Sequence, residues 1–150
     1  MNQTEGPELE FDSAPGWSRE KALEVLGIVQ VPFEYPDGKC QGYARRREIA
    51  INPVAALPIK TLLHECAHCE LGHTAAGEVN DSEFTPRNIR EVEAESVALL
   101  VGSALGLEVG EQCRGYIQNW LQADSIPEKS AQRIFGAADR ILRAGQDIHE

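Results

Sequence analysis

No run of about 18 apolar residues occurs in the 150-residue chain, so no segment is read as a membrane-spanning helix. The start, MNQTEGPELEFD, lacks the basic residues and apolar stretch of a secretory signal, and a cytoplasmic location is expected. Positive charge is scarce: 14 Lys and Arg stand against 24 Asp and Glu, for a net charge of −10. Such a field repels polyphosphate, so nucleic acid is not an expected partner of this chain alone. The local cluster Arg45-Arg46-Arg47 reads as a solvated strand edge or turn. Only four cysteines occur, and without an export signal they read as free thiols in a reducing compartment. Internal repeats and low-complexity tracts are missing as well.

What is present fits one globular domain, with 42% hydrophobic and 25% charged residues. Residues 1–16 carry Gly, Pro and acids without periodicity and read as a flexible acidic lead-in, which leaves 17–150 as the single domain. Ser18 is placed to cap a short helix with apolar Ala22, Leu23, Val25 and Leu26, ending near Gly27. A β-rich stretch follows. Ile28, Val29 and Val31 precede a Pro36-Asp37-Gly38 turn; Cys40, Gly42 and Tyr43 follow it; Glu48 to Ile51 form another strand closed by Asn52-Pro53. A small antiparallel sheet of about three strands is expected.

From Pro58 the pattern turns helical, giving an α+β fold class. The first long helix runs to about Leu71, and a polar loop covers 74–88. A second long helix, Arg87 to Leu105, is apolar around most of its circumference and is expected to be buried. A short helix is read over 114–122. Ser125 and Glu128 form a capping box for a last helix whose inner stripe is Ala131, Ile134, Phe135, Ala138, Ile141 and Leu142.

Residues 60–73, KTLLHECAHCELGH, carry the chemistry. A helix turns about 100° per residue, so with His64 at zero, His68 lies near 40° and Glu65 near 100°. Histidines at i and i+4 bring two imidazole nitrogens to one ion, with the intervening Glu beside an open coordination position. Ile59, Leu62, Cys66 and Cys69 fall on the opposite side, so the cysteines read as small buried hydrophobes. Cys40 and Cys113 could join them in a four-thiolate site, although nothing in the spacing asks for it. His73 follows too closely to share the ion as a third ligand and is kept as a rim, oxyanion or substrate contact.

A catalytic zinc needs a third protein ligand. On the second long helix Glu91, Glu95, Ala98 and Gly102 share one stripe, a face shaped for close approach to the first helix. Glu91 is taken as the third ligand, with Glu95 holding the second nitrogen of His64 or His68; the exchange of these two roles is the alternative. Glu93 points the other way and reads as a solvated acid near a helix start.

An HExxH helix followed about twenty residues later by EVEAESVA resembles the gluzincin-type zinc peptidases. More narrowly, GYARRREIAINP, KTLLHECAHCELGH and EVEAESVALLVGSALGLE, with the outlying QTEG and GYIQNW, resemble the C-terminal metallopeptidase domain of ArdC-type antirestriction proteins and their ImmA/IrrE-like relatives. The resemblance covers nearly the whole chain. It implies a zincin-like domain with one Zn2+ held by His64, His68 and Glu91 and with Glu65 as general base. ArdC-type proteins also carry an N-terminal domain for single-stranded DNA, for which this chain has no room, so DNA binding is not carried over.

The expected activity is hydrolysis of a peptide bond in a specific protein target, tied to a mobile genetic element. Zinc-activated water attacks, and Glu65 moves the proton to the leaving amine. Tyr43, His73, Tyr116 and the arginines are the candidate donors to the oxyanion, and the strand around Gly42 to Arg45 is the expected edge for an extended substrate. The alternative is a zinc-containing module that acts by occupying a protein partner, in which Glu65→Gln is silent while His64→Ala destabilises the fold. A DNA-associated factor is the third reading, and it requires steeply salt-dependent affinity for DNA.

Overall fold

The computed structural model describes residues 16–34, 40–55, 57–74, 86–121 and 127–146. The lead-in up to residue 15, the Pro36-Asp37-Gly38 turn, most of the 74–88 loop and Ser125 lie outside them. In chain order the described elements are α1 (Arg19–Leu26), β1 (Val29–Gln30), β2 (Gly42–Arg45), β3 (Glu48–Ile51), α2 (Pro58–Glu70), α3 (Arg87–Ala104), α4 (Gly110–Leu121) and α5 (Glu128–Gly145). The molecule is α+β, with five helices and a three-stranded mixed sheet among the described residues. None of these helices is long and apolar enough to cross a membrane.

Helix α1 forms as its ends dictate. The Ser18 hydroxyl accepts the Lys21 N–H, and Gly27, at φ 70°, turns the chain out of the helix. The preceding Trp17 is buried; its indole donates to the Ile141 carbonyl at 3.2 Å and packs against Gly145. A Cβ at Gly145 would stand 2.5 Å from that ring, so the close α1–α5 contact requires glycine there.

The sheet differs from the antiparallel expectation. Its order is β1-β3-β2, with β2 antiparallel to β3 but β1 parallel to it. The tight connection is Arg46-Arg47, where Arg46 adopts φ 58°, and it pairs β2 with β3 in the register Arg45 to Glu48. That leaves only the far edge of β3 for β1, which the chain reaches with a crossover long enough for a parallel pair. The arginine triplet is thus a turn, as expected, but Arg47 is not merely solvated. Its guanidinium donates to the carbonyls of Cys69 and Leu26 and to Glu70, so it pins the hairpin to the ends of α1 and α2.

Helix α3 is the central element, packed against α2, α4 and α5. Val92, Ala94, Val97, Ala98 and Val101 are fully buried along it. The sheet covers a second side of α2. Helix α4 begins at Gly110, earlier than residue 114. Helix α5 begins at Glu128 with Pro127 as its N-cap, so Glu128 stands at the first helical position; Ser125, the other half of the expected capping box, lies outside the described residues. On α5 Ile134, Ala138 and Ile141 face inward as expected, but Phe135 is 63% exposed and Ala137 and Ala144 complete the buried stripe. One residue past Ile134 is about 100° around the helix, enough to carry Phe135 out of the core.

Candidate metal centre

Helix α2 starts at Pro58, whose missing N–H costs nothing in the first turn, and runs unbroken through the histidines. One helical turn separates His64 from His68, and their Nε2 atoms stand 3.1 Å apart. Helix α3 packs against α2, and Ala67 and Ala98 are fully buried on the two helices. It brings Glu91 to the pair: Oε1 lies 3.3 Å from His64 Nε2 and Oε2 3.2 Å from His68 Nε2. The three residues can together hold a metal ion, their ligand atoms all lying within 4.8 Å of one another. Two nitrogens 3.1 Å apart suit an ion about 2.0–2.1 Å from each.

The outer nitrogens carry the protonation argument. His64 Nδ1 is 2.6 Å from Glu95 Oε1, so it donates, which in a neutral ring leaves Nε2 bare. The other Glu95 oxygen has no hydrogen-bond partner of good geometry and is neutralised by Lys60 Nζ at 3.0 Å. Glu91 thus faces the inner nitrogens of both histidines, and Glu95 the outer nitrogen of His64. Lys60 was not singled out from sequence, although it lies one turn before His64 and hence on the same stripe.

His68 is held differently. Its Nδ1 is 2.9 Å from His73 Nδ1, and His73 Nε2 is 2.8 Å from Glu93 Oε1. Glu93 also accepts from Ser130 Oγ at 2.5 Å and from Arg133 at 2.6 Å. Because an ionised Glu93 can only accept, His73 Nε2 carries the proton; a neutral His73 then accepts through Nδ1, and His68 donates to it. With both rings neutral, the two Nε2 atoms present lone pairs to each other and to the Glu91 carboxylate, a set that a cation can share; in its absence a proton on His64 Nε2 serves instead.

One expectation is corrected here. Glu93 is not solvated: it is fully buried, because α5 closes over the face of α3 that looked free. His73 lines the cleft, but its side chain is only 3% exposed and is turned to His68 and Glu93. Helix α2 ends at Glu70, Gly72 at φ 80° reverses the chain, and the His73 N–H returns to the His68 carbonyl at 3.0 Å. The turn tucks His73 beneath His68.

Electrostatics follow from this burial. For His64, burial opposes the charge, yet Glu91 and Glu95 outweigh it and raise the imidazole from 6.5 to about 9. For Glu91 burial works upward, but the two histidines pull its carboxyl below the usual range. Glu95 is likewise raised by burial and lowered further by His64 and Lys60. Glu65 goes the other way: burial lifts it above the ordinary carboxylate value despite the neighbouring histidines. Burial lowers His73, in keeping with a neutral ring.

A cleft of about 530 Å³ opens over the cluster, with His64, Glu65, His68 and Glu91 in its wall. Among the described residues strand β2 is a sheet edge, and it contributes Gly42 to Ala44 to that wall. A Cβ at Gly42 would meet the Ala50 carbonyl and Thr61 at 2.8 Å and Glu65 Oε2 at 3.4 Å, so glycine lets the strand close onto α2. Tyr116 reaches the site from α4: its hydroxyl donates to Glu91 Oε1 at 2.8 Å, and its ring centroid is 5.4 Å from that of His64. Tyr43 lines the cleft, but its hydroxyl turns to the Pro32 carbonyl at 3.4 Å. Cys66, Cys69 and Cys113 are buried in the apolar core, and burial pushes Cys69 up to about 11 and Cys113 up to about 12. Cys40 is half-buried at the cleft and donates to the Gly42 carbonyl.

Comparison with protein-family models, curated proteins and solved structures gives no match for this chain.

Proposed function

We propose that this chain is a zincin-like zinc peptidase that cleaves a protein or peptide substrate, with His64, His68 and Glu91 as the metal ligands. The observation that carries the reading is the convergence of His64 Nε2, His68 Nε2 and the Glu91 carboxylate at one point in a cleft wall that also contains Glu65. Zinc is favoured over harder ions because two imidazoles and one carboxylate match its catalytic ligand sets. Bound there, the ion supplies Lewis acidity toward a carbonyl and lowers the pKa of a coordinated water toward about 7.

The chain's own residues supply the rest. Glu65, lifted above the ordinary carboxylate value by burial, is poised to take a proton from the attacking water and return it to the leaving amine. Tyr116 steadies Glu91 by its hydrogen bond and presents its hydroxyl at the cleft, where it is the better placed of the two tyrosines to meet a developing oxyanion. The outer edge of β2 offers backbone groups to an extended peptide, which would lie along the cleft with its scissile bond over the cluster.

The test is hydrolysis of a mixed peptide library by zinc-loaded protein, read by mass spectrometry. Glu65→Gln is expected to reduce cleavage by about 100-fold or more while leaving one zinc per chain. Cleavage undiminished by that change would exclude Glu65 as the base.

A further inference from the structure

The two ligand histidines are braced in different ways. His64 meets a carboxylate directly, whereas His68 meets a second histidine, and only then a carboxylate. The His68 arm continues through Glu93 to Ser130 and Arg133, so it spans α2, the turn after it, α3 and α5. A fully buried carboxylate and a buried imidazole are costly to place in an interior where apolar side chains pack well. Their hydrogen bonds leave one productive arrangement: Glu93 holds His73, and His73 holds His68.

Resting on the metal-site reading above, we infer that His73 and Glu93 are positioning residues for the metal. His73 fixes the tautomer and tilt of His68, and Glu93, clamped by Ser130 and Arg133, fixes His73. Helix α5 thereby contributes to metal affinity although none of its residues touches the ion. A plain packing role for His73 predicts something else: any side chain that fills the space would serve.

The experiment measures zinc affinity by competition with a chromophoric chelator. It uses wild type, His73→Leu, His73→Asn and Arg133→Met, with His68→Ala as control. Circular dichroism of each metal-free form establishes that it is folded. His73→Leu is expected to bind zinc about 10- to 100-fold more weakly, the usual effect of removing a partner behind a ligand histidine. His73→Asn puts an amide oxygen near the place of Nδ1, where it accepts the same proton, and is expected to stay within about threefold of wild type. Arg133→Met weakens binding less than His73→Leu, in the same direction. In zinc-loaded protein the His68 Nδ1–H resonance is expected downfield in wild type and in His73→Asn, and shifted or broadened away in His73→Leu.

Wild-type affinity in folded His73→Leu, or equal losses in the Leu and Asn variants, would overturn the inference. Should His73→Leu not fold, unchanged zinc affinity in Arg133→Met would overturn it instead. Failure of the metal-site reading itself looks different: wild type would then bind no more zinc than His68→Ala.

Discussion

On one face of helix α2, His64 and Glu65 are each 6% exposed; on the other, Cys66 and Cys69 are 2% and 4% exposed. Burial alone does not tell these faces apart. Partners do. The thiols sit among apolar side chains of the core and behave as small hydrophobes. The histidine face meets two carboxylates from α3 directly, Glu91 and Glu95, and a third, Glu93, through His73; each has a cation or donor behind it: Tyr116 behind Glu91, Lys60 behind Glu95, and Arg133 and Ser130 behind Glu93. Buried polar groups persist in a fold only when paired, and here the pairing converges on His64 Nε2, His68 Nε2 and the Glu91 carboxylate, which a proton or a metal ion can share.

The comparison breaks first on the metal face. His64→Ala is expected to abolish stoichiometric zinc binding, seen as loss of metal by elemental analysis and loss of any zinc-dependent rise in melting temperature. A variant that kept one zinc per chain would move the ligand set elsewhere.

The next effect is on pH. In the metal-free protein His64 is raised to about 9, so its charged contacts with Glu91 and Glu95 contribute stability that is fully present below about pH 6.5 and lost as pH rises through about 9. The depressed Glu91 and Glu95 contribute in the opposite sense, losing stability as pH falls below their ordinary range. Melting of metal-free protein should therefore fall between pH 6.5 and 9. Zinc must displace the His64 proton, so its apparent affinity should rise about tenfold per pH unit over that window, with proton release measurable in weak buffer. Affinity that stays flat would mean that Nε2 is already bare.

Where the sheet closes onto α2, Gly42→Ala forces a methyl against the Ala50 carbonyl and Thr61. A destabilisation of about 1–3 kcal/mol is expected in chemical denaturation, with a displaced Glu65 lowering cleavage more than zinc content. The smallest effect belongs to the opposite face. Cys66→Ala should cost about 1–2 kcal/mol through lost packing and leave zinc stoichiometry at one. Lost zinc in that variant would erase the distinction between the faces.

Much of this site was legible in the chain. The i, i+4 spacing of His64 and His68 put both imidazoles on one edge of a helix that Pro58 starts, and Glu91 and Glu95 marked the part of the next helix that meets it, whereas Gly102, read on the same stripe, packs against Val109 instead. The parts that were missed depend on contacts distant in sequence. Glu93 looked like a surface acid because its partners Ser130 and Arg133 lie 37 and 40 residues away on α5, and no local pattern announces them. His73 was judged by its spacing from His68 alone; Gly72, just before it, was the available sign that the chain turns back. The parallel β1 escaped for a similar reason. A turn sequence at Pro36 invites a hairpin, but strand partners are chosen by which edge remains open, and Arg46-Arg47 had already joined β2 to β3.

Elemental analysis of the protein purified from zinc-replete buffer, alongside Glu91→Ala and Glu95→Ala, bears most directly on the shared ion. One zinc per chain in wild type, essentially none in Glu91→Ala, and zinc retained with weaker affinity in Glu95→Ala is the expected pattern. A folded wild-type protein that emerges free of metal, or a Glu91→Ala variant as fully loaded as wild type, would contradict the account.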